Sequence, residues 1–266
     1  MSQKNKYILV FLLGAITFWG YNKYTFPTVE KKIQPNKHRV TGIIGAMDEE
    51  ITTLKNTMSL DSIYHIAGLN FYKGKLNAKQ VVIVRSGIGK VNASIATQIL
   101  IDEFSTNEII NTGVAGGLNS NLEIGDIVIA KSLRYNDFDV SAFGYKIGDI
   151  PRMDTSIFYS DRMMMANILE NGRKLGYRIS YGNISTGDQF ITHKQNKTIT
   201  ELFNSDAVEM EGAAIAHVCY INKIPFVIVR AISDKANGES PKVYSEFEKE
   251  AAAKSAKLII ESLKHS

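Results

Sequence analysis

The stretch VTGIIGAMDEEITTLKNTM (residues 40–58) begins with a short apolar run and continues as a longer segment whose apolar residues recur at helical spacing. The same change of pattern occurs between VVIVRSG (81–87) and KVNASIATQILIDEF (90–104). Short strands rich in Val and Ile that alternate with amphipathic helices are typical of an α/β fold. The sequence therefore predicts an α/β domain with a mostly parallel or mixed sheet.

The rest of the chain continues this alternation. Further strands are predicted over residues 108–112, 126–130, 179–185, 207–210 and 225–232. Helices are predicted over residues 158–175, 194–203, 211–222 and 241–264. With 44% hydrophobic and 22% charged residues among 266, the chain has enough apolar material for one sizeable core. One compact domain over residues 40–266 is expected.

The positive charge of the chain lies at its N-terminus. Residues 1–39 carry seven Lys and Arg side chains and one Glu, a net charge of +6; the whole chain is +4, so the remainder is −2. A folded part without a basic excess is poorly suited to neutralising the phosphates of a nucleic acid. Nucleic-acid binding is therefore not expected.

Cysteine and histidine indicate neither a disulfide nor a metal site. Cys219 is the only cysteine, which excludes an internal disulfide bond and argues against a thiolate metal cluster. The five histidines show no metal-ligand spacing. No metal is expected.

Residues 1–22 have the pattern of a signal or membrane anchor. Lys4 and Lys6 precede an uncharged, mostly apolar run over residues 7–21, and a polar, basic tether follows over residues 23–39. The run is long for a signal-peptide core and shorter than the roughly 20 residues of a membrane-spanning helix. No cleavage site of the A-x-A kind follows it, which favours an uncleaved hydrophobic anchor helix in front of the domain.

The location follows from the basic residues around this run. Lys4 and Lys6 are expected to stay cytoplasmic, which places the rest of the chain, anchored or exported, on the extracytoplasmic (periplasmic) side. The basic residues after the run weaken that orientation, so the cytoplasmic face or the cytoplasm stays open as an alternative. A buried N-terminal helix of the domain is a further alternative.

Polar stretches follow the predicted strands at the point where each strand ends. In open α/β sheets, ligands bind beyond the carboxyl ends of the strands, where loops converge. Glu50, Glu211 and Asp234 stand there, with Arg230 four residues before Asp234, and such groups can perform acid and base catalysis. Each carboxylate also has a structural interpretation, because acids stabilise helix starts and cap turns.

Other residues at these strand ends also leave two interpretations open. The loop at 86–90 lacks the spacing of a phosphate-binding motif. Glycines after the strand at 108–112 either let the backbone approach a flat ligand or form tight turns. Phe190 either stacks on a planar base or packs in the core. Met210 and Ile88 suit a thioether pocket and ordinary burial equally.

Seven motifs occur in the order GIIGAMDEE (42–50), SGIGKVNA (86–93), INTGVAGGL (110–118), GDIVIA (125–130), TGDQFI (186–191), VEMEGAAIAHVC (208–219) and VRAISDKA (229–236). Together they closely resemble those of the 5'-methylthioadenosine/S-adenosylhomocysteine nucleosidases. The resemblance implies a nucleoside phosphorylase-like fold, a three-layer sandwich around a central mixed, mostly parallel sheet. It also implies hydrolysis of adenosine thioethers to adenine and 5-methylthioribose or S-ribosylhomocysteine, without a cofactor.

The resemblance further implies roles for individual residues. Asp234 matches the general acid that protonates adenine, and Ser233 orients it. Glu50 matches the residue that activates the attacking water, Arg230 lies near that water, and Glu211 matches the residue that holds the ribose hydroxyls. The other positions that match substrate-binding residues are Met47, Ile88, Ala115, Gly116, Phe190, Ile191, Glu209, Met210 and Tyr244.

The family is homodimeric, and a second subunit completes the pocket for the 5'-thio group. The positions that match this contribution are Val140, Phe143, Tyr145 and Pro151. Tyr244 and Val114 stand where the family usually has phenylalanine and serine. The preference among methylthioadenosine, S-adenosylhomocysteine, aminofutalosine and 5'-deoxyadenosine therefore stays open.

Two other functions stay open. A nucleoside phosphorylase of the same fold uses phosphate in place of water and needs a cationic pocket, for which the motifs supply only Arg230 and Lys90. A membrane-tethered nucleoside-binding module without turnover is expected to have lost its acid, whereas here the three carboxylates and the arginine are all present.

Overall fold

The computed structural model describes residues 39–237 and 240–264. Its strands are β1 (Val40–Gly45), β2 (Ser59–Ile66), β3 (Leu69–Leu76), β4 (Lys79–Arg85), β5 (Glu108–Gly117), β6 (Ile127–Tyr135), β7 (Phe158–Tyr159), β8 (Ile179–Thr186), β9 (Ala207–Glu209) and β10 (Phe226–Asp234). Its helices are α1 (Asp48–Thr57), α2 (Lys90–Phe104), α3 (Arg162–Lys174), α4 (His193–Phe203), α5 (Gly212–Asn222) and α6 (Ser240–Ser262), with a short 3-10 helix at Ser141–Phe143.

The core lies on both faces of the sheet because successive strand residues point to opposite sides. In β4, Val82 and Val84 belong to a core cluster on one face that includes residues of α2 and α5, whereas Val81 and Ile83 belong to a cluster on the other face that includes residues of α1, α3 and α6. All four side chains are fully buried, and each such burial stabilises the fold by about 1.5–3 kcal/mol. The arrangement is the predicted three-layer α/β sandwich.

The sheet is mixed, in the order β10-β6-β8-β9-β5-β1-β4-β3-β2, with β7 beside β6. The parallel pairs are β1 with β4, β1 with β5, β5 with β10, β6 with β8 and β8 with β9. The remaining pairs are antiparallel, so among the described residues the sheet is evenly mixed rather than mostly parallel. Because β10 also pairs with β5, the strands β5, β10, β6, β8 and β9 form a closed ring.

Most of the predicted polar stretches lie together because they follow parallel strands that end at one edge of the sheet, as predicted. The stretch after β9 lies there for a different reason. The parallel strands β1, β4, β5 and β10 end at the same edge. By contrast, β9 runs antiparallel to β5, with Val208 opposite Gly116. The residues that follow β9 therefore lie at the same edge of the sheet, beside the end of β5, although β9 runs in the opposite direction.

Two local predictions differ from the structure. The hairpin of β2 and β3 was not predicted, because most β2 side chains are exposed and give no regular alternation. The helix predicted over residues 158–175 begins only at Arg162, after the two-residue strand β7. Asp161 fixes that start, because its side chain accepts hydrogen bonds from the N–H groups of Met163 and Met164.

The predicted location on the extracytoplasmic side of a membrane was wrong. Within residues 39–237 and 240–264, no helix combines the length and the apolar character needed to cross a bilayer. The 23 residues of α6 are long enough, but they include several Lys and Glu side chains. The segment assigned as a signal or anchor, residues 1–22, and all of the predicted tether except Arg39 lie outside the described residues.

Candidate active site

A cavity of about 330 Å³ lies where β1, β5, β9 and β10 end. Its wall combines the start of α1, the loop before α2, the loop after β8 and the start of α6. Four carboxylates, Glu50, Glu209, Glu211 and Asp234, lie along it among mostly apolar neighbours. A pocket of this kind, with a few converging polar groups, is the usual form of a small-molecule site.

Glu50 lies in the first turn of α1, and its carboxylate points back towards the strand ends. Oε2 accepts hydrogen bonds from the N–H groups of Ala46 (2.5 Å) and Met47 (3.1 Å), and Oε1 accepts one from Val114 N–H (3.1 Å). Burial raises the pKa of Glu50, although the charge of Arg230 and these three N–H groups act in the opposite direction. Glu50 is therefore a buried carboxylate in a fixed position, suited to accepting a proton.

Arg230 lies behind the cavity wall and carries the buried positive charge. Its Nη2 lies 2.5 Å from Glu209 Oε2 and 3.5 Å from Glu211 Oε2. Glu211 also accepts a hydrogen bond from Gly89 N–H at 2.9 Å. Burial and the charges of Glu209 and Glu50 raise the pKa of Glu211 to about 8, against the lowering effect of Arg230 and Gly89. Three carboxylates thus share one guanidinium.

Gly113 allows this cluster to form. A Cβ at this position would fall against Arg230 Nη1 and Glu50 Oε1. Any larger residue would therefore displace two charged groups, so the glycine serves a close approach of the strand to the buried cluster.

Asp234 ends β10 on another part of the wall and is 3% exposed. Its Oδ1 accepts a hydrogen bond from Ala236 N–H at 2.7 Å, and Ser233 Oγ lies 3.0 Å from Oδ2. Ser233 Oγ also lies 3.3 Å from the carbonyl oxygen of Ala115, to which it can donate instead. A register shift between Ile232 and Asp234 changes which side chains point inward at this strand end. The Ser233 hydroxyl can therefore donate either to the Asp234 carboxylate or to the Ala115 carbonyl.

Two aromatic rings close one side of the cavity. Phe190 and Tyr244 meet edge to face, with ring centroids 5.5 Å apart and an interplanar angle of 81°. The Tyr244 hydroxyl donates to Met47 Sδ at 3.2 Å. Phe190 is 43% exposed, so of its two interpretations the structure disfavours core packing. Its ring is accessible from the cavity.

Comparisons with known proteins agree with this geometry. Residues 40–264 match the phosphorylase superfamily. The 5'-methylthioadenosine/S-adenosylhomocysteine nucleosidase of Staphylococcus haemolyticus is 45% identical over 224 residues, which is 84% of this chain and 97% of the relative. The nucleosidase of the same name from Neisseria meningitidis, solved with methylthio-immucillin-A, is 39% identical, with a TM-score of 0.83 and coverage of 86% of this chain and all of the other. The chain belongs to the 5'-methylthioadenosine/S-adenosylhomocysteine nucleosidase family.

A second kind of hydrolase has a similar structure. Futalosine hydrolase of Helicobacter pylori is 31% identical to this member of the nucleosidase family. The TM-score is 0.83, and the alignment covers 86% of this chain and 98% of the other. Fold similarity alone therefore does not separate the two substrate classes.

In this member of the nucleosidase family, the cavity wall contains every residue predicted for the acid, the base and the substrate contacts except Arg230. Those residues are Met47, Glu50, Ile88, Ala115, Gly116, Phe190, Ile191, Glu209, Met210, Glu211, Ser233, Asp234 and Tyr244. The wall also contains Ala46, Gln189, Val208 and Ala236, which the sequence analysis did not select. In the sequence, only their position next to selected residues of the same motifs could have indicated that they line the cavity.

The residues predicted to complete a partner's pocket lie apart from this cavity. Val140, Phe143, Tyr145 and Pro151 belong to the segment between β6 and β7, and none of them lines the wall. Phe143 is 82% exposed and Tyr145 is 43% exposed. In the single chain that the structure describes, the side chains of Phe143 and Tyr145 are exposed and can contact another molecule.

Proposed function

We propose that this chain hydrolyses the N-glycosidic bond of 5'-methylthioadenosine and S-adenosylhomocysteine, giving adenine with 5-methylthioribose or S-ribosylhomocysteine. The observation that carries this proposal is the position of Asp234. It is a buried aspartate, held by Ser233 and Ala236 N–H, in a cavity whose lining also includes Glu50 and Glu211. Cleavage of such a bond needs a proton for the departing base and stabilisation of a cationic sugar.

Departure of the base is assigned to Asp234. Its proton passes to the adenine ring as the bond between the base and the sugar breaks, and the bonding electrons stay with the base. Adenine therefore leaves neutral. Ser233 Oγ, 3.0 Å from the aspartate and 3.3 Å from the Ala115 carbonyl, donates to the carbonyl while the acid is protonated and to the carboxylate afterwards.

Attack of water is assigned to Glu50. The sugar left behind has oxocarbenium character, and a nearby negative field stabilises it. Water adds to the anomeric carbon and gives its proton to Glu50, whose raised pKa suits it to that task. Glu211 is assigned to the ribose hydroxyls, and Arg230 is assigned to holding Glu211 in place from behind the wall.

The remaining contacts are assigned from the resemblance to the family, and the residues concerned all line the cavity. Phe190 stacks on the base, Ile191 offers its backbone to the base edge, and Met210 packs under the sugar. Met47 and Ile88 lie at the end assigned to the 5'-thio group.

Phosphorolysis, the reaction suggested by the superfamily's description, suits this cavity poorly. Among the described residues of its wall there are four carboxylates and no Lys or Arg. Arg230 is paired with Glu209, and Lys90 is paired with Asp137 at 2.6 Å. The described wall therefore offers a phosphate ion no cationic partner to offset its negative charge. A binding module without turnover has no need for a second buried acid across the cavity.

We also propose that the chain acts as a homodimer. Ile88 lines the cavity and is 53% exposed, and along the same edge of α2 lie Val91, 70% exposed, and Ile95, 43% exposed. A contiguous apolar surface next to a cavity is typical of an interface. By the resemblance to the family, the segment of a second copy that contains Phe143 and Tyr145 is assigned to the 5'-thio end of the cavity.

Release of adenine by the full chain tests the proposed function. We expect 5'-methylthioadenosine and S-adenosylhomocysteine to be cleaved in phosphate-free buffer and the rate to stay unchanged when phosphate is added. A rate that rises with phosphate, together with formation of a ribose 1-phosphate, would instead identify a phosphorylase. Aminofutalosine as a third substrate tests the likeness to futalosine hydrolase.

A further inference from the structure

Lys90, Asp137 and Asp188 form a hydrogen-bonded cluster beside the cavity, and none of the three lines its wall. Lys90 Nζ lies 2.6 Å and 2.7 Å from the two carboxylate oxygens of Asp137 and 3.5 Å from Asp188 Oδ2. The backbone N–H of Asp188 donates to Asp137 Oδ2 at 2.9 Å. The cluster therefore joins three segments, which are the start of α2, the loop after β6 and the loop after β8.

Asp188 also caps the start of α2. Gly89, the residue before this helix, has no side chain, and the first turn of α2 contains no acidic residue. Asp188 Oδ1 instead accepts a hydrogen bond from Lys90 N–H at 2.9 Å. A carboxylate in this position pairs with an N–H group that has no partner within the helix, and it interacts favourably with the helix dipole. The loop after β8 is thereby fixed to the start of α2.

The N–H group next to this cap donates to Glu211. Gly89 N–H lies 2.9 Å from Glu211 Oε1. Gly89 has a φ of +98°, and a Cβ there would lie 3.1 Å from Asp188 Oδ1, so the backbone passes close to the aspartate. Two consecutive N–H groups, those of Gly89 and Lys90, are thus held by Glu211 and Asp188. A shift of the Asp188 carboxylate would therefore also disturb the contact with Glu211.

The same loop carries Phe190, the ring assigned to the base, two residues after Asp188. The loop packs closely against the residues that follow β6, because a Cβ at Gly187 would fall against Asn136 Oδ1 and lie 3.2 Å from Asp137 Cγ. Asp137 therefore supports the beginning of the loop through both packing and its hydrogen bond from Asp188 N–H. One cluster supports the segments assigned to the sugar and to the base.

We propose that Lys90, Asp137 and Asp188 are positioning residues for catalysis, which hold Gly89 N–H against Glu211 and the Phe190 ring against the base. The inference rests on the proposed function, in which Glu211 is assigned to the ribose hydroxyls. The side chains of Lys90 and Asp137 are only 22% and 21% exposed, and hydrogen bonds between charged groups are stronger than those between neutral groups. The cluster is thus firm enough to fix both segments.

The contribution of a ribose hydroxyl to the rate reports the position of Glu211. The measured quantity is kcat/KM of the full chain for 5'-methylthioadenosine, divided by kcat/KM for the analogue that lacks the 2'-hydroxyl. In Asp188→Ala we expect this ratio to fall by about three- to tenfold, part of the effect of one hydrogen bond to a charged group. Asp188→Asn keeps an acceptor for Lys90 N–H, so it should retain most of the native ratio.

Adenine binding reports the position of the Phe190 loop. Asp137→Ala and Lys90→Met each remove the ion pair that supports this loop. Each variant should raise the dissociation constant of adenine, measured by calorimetry, by about two- to tenfold, the range for one aromatic contact. Unchanged adenine binding in both variants would overturn the role given to Lys90 and Asp137.

Asp161→Ala is the matched control. Asp161 caps the start of α3 in a similar way, by accepting hydrogen bonds from the N–H groups of Met163 and Met164, and it does not line the cavity. Loss of this cap should lower the stability of the protein to a similar extent as Asp188→Ala. The substrate ratio and the dissociation constant of adenine should both stay at their native values.

An unchanged substrate ratio in Asp188→Ala, or an equal fall in Asp161→Ala, overturns the positioning role of Asp188. The ratio is taken within each variant, so a loss of folded protein does not affect it. Absence of cleavage by the native chain contradicts the proposed function instead. Amide hydrogen exchange at Gly89, followed by NMR, then decides. Exchange that is faster in Asp188→Ala than in Asp161→Ala supports the cluster, and equal exchange in the two variants overturns it.

Discussion

The carboxylate of Glu209 and the guanidinium of Arg230 lie 2.5 Å apart, and their side chains are 2% and 1% exposed. Glu209 also accepts hydrogen bonds from Thr186 Oγ1 and from the backbone N–H groups of Glu211 and Gly212. Although it touches the cavity, Glu209 thus has both oxygens engaged within the protein. Glu209 therefore fixes the position of the Arg230 guanidinium, which also pairs with Glu211. It fixes the start of α5 as well, through its hydrogen bond from Gly212 N–H.

Replacing Glu209 with glutamine should destabilise the protein strongly. Removing one member of a buried ion pair costs about 3–5 kcal/mol when the other charge is left unpaired. Because Glu211 Oε2 remains 3.5 Å from the guanidinium, we expect a loss near the lower end of that range. The free energy of unfolding from urea denaturation measures the change. The matched control is Glu123→Gln, which breaks the exposed pair with Lys235 and should cost about 1 kcal/mol or less. Equal losses in the two variants would contradict the role given to Glu209.

Asp234→Asn should reduce kcat for 5'-methylthioadenosine by about 10²–10⁴, the range for loss of a general acid. The asparagine keeps the size of the side chain and its contact with Ala236 N–H, so binding should change much less than turnover. Ser233→Ala should give a smaller loss, because the acid itself remains. Adenine release and calorimetric binding measure the two effects. A full rate in Asp234→Asn would rule the residue out as the acid.

The buried position of Glu211 predicts a pH dependence of stability. Its pKa is raised to about 8 in the folded protein from an ordinary value of 4.5. The unfolded chain therefore loses this proton first as the pH rises, and the stability contributed by Glu211 falls between about pH 4.5 and 8. The Glu211→Gln variant has no proton to lose at this position. Its free energy of unfolding should therefore increase relative to that of the native chain as the pH rises across this range.

Urea denaturation at several pH values between 5 and 8 measures that gain. Glu50, whose pKa is raised in the same direction, is present in both proteins, so the part of its titration that is independent of Glu211 cancels in the difference. A difference that stays constant with pH would mean that Glu211 is already ionised in the folded protein.

A charge on the exposed apolar edge of α2 should separate the proposed dimer. Val91→Asp places a carboxylate on a side chain that is 70% exposed, so the fold of one chain should tolerate it. We expect a monomer by analytical ultracentrifugation, with an unchanged circular dichroism spectrum and weaker binding of thioether substrates. Met163→Asp, at an 80% exposed position on α3, is the control and should leave the assembly intact. A monomeric native chain would contradict the homodimer.

The sequence predicted the alternation of strands and helices well, because short runs rich in Val and Ile, such as β4, are separated by longer segments of mixed polarity, such as α2. It failed where tertiary contacts decide the structure. Nothing in the exposed residues of β2 indicates that it pairs with β3, and the apolar Phe158 reads equally well as the start of a helix.

For the cavity, the motifs selected nearly all of the wall, because its residues follow the ends of strands. The position of Arg230 behind Glu209 and Glu211 could not be predicted. It depends on β9 running antiparallel to β5, a pairing between segments about ninety residues apart along the chain. Spacing within a motif does not contain that information.

The closed ring of strands ties the appearance of the cavity to the pairing of distant strands. Glu50, Glu211 and Asp234 meet only when β9 and β10 are both paired with β5, and contacts so distant in sequence carry a large loop-closure cost. A partly folded chain therefore has no place for a nucleoside. Any tight ligand will select the completed structure, raising its stability by about 2.7 kcal/mol at a hundred times the dissociation constant. Such a ligand can serve as a probe that counts only fully folded molecules.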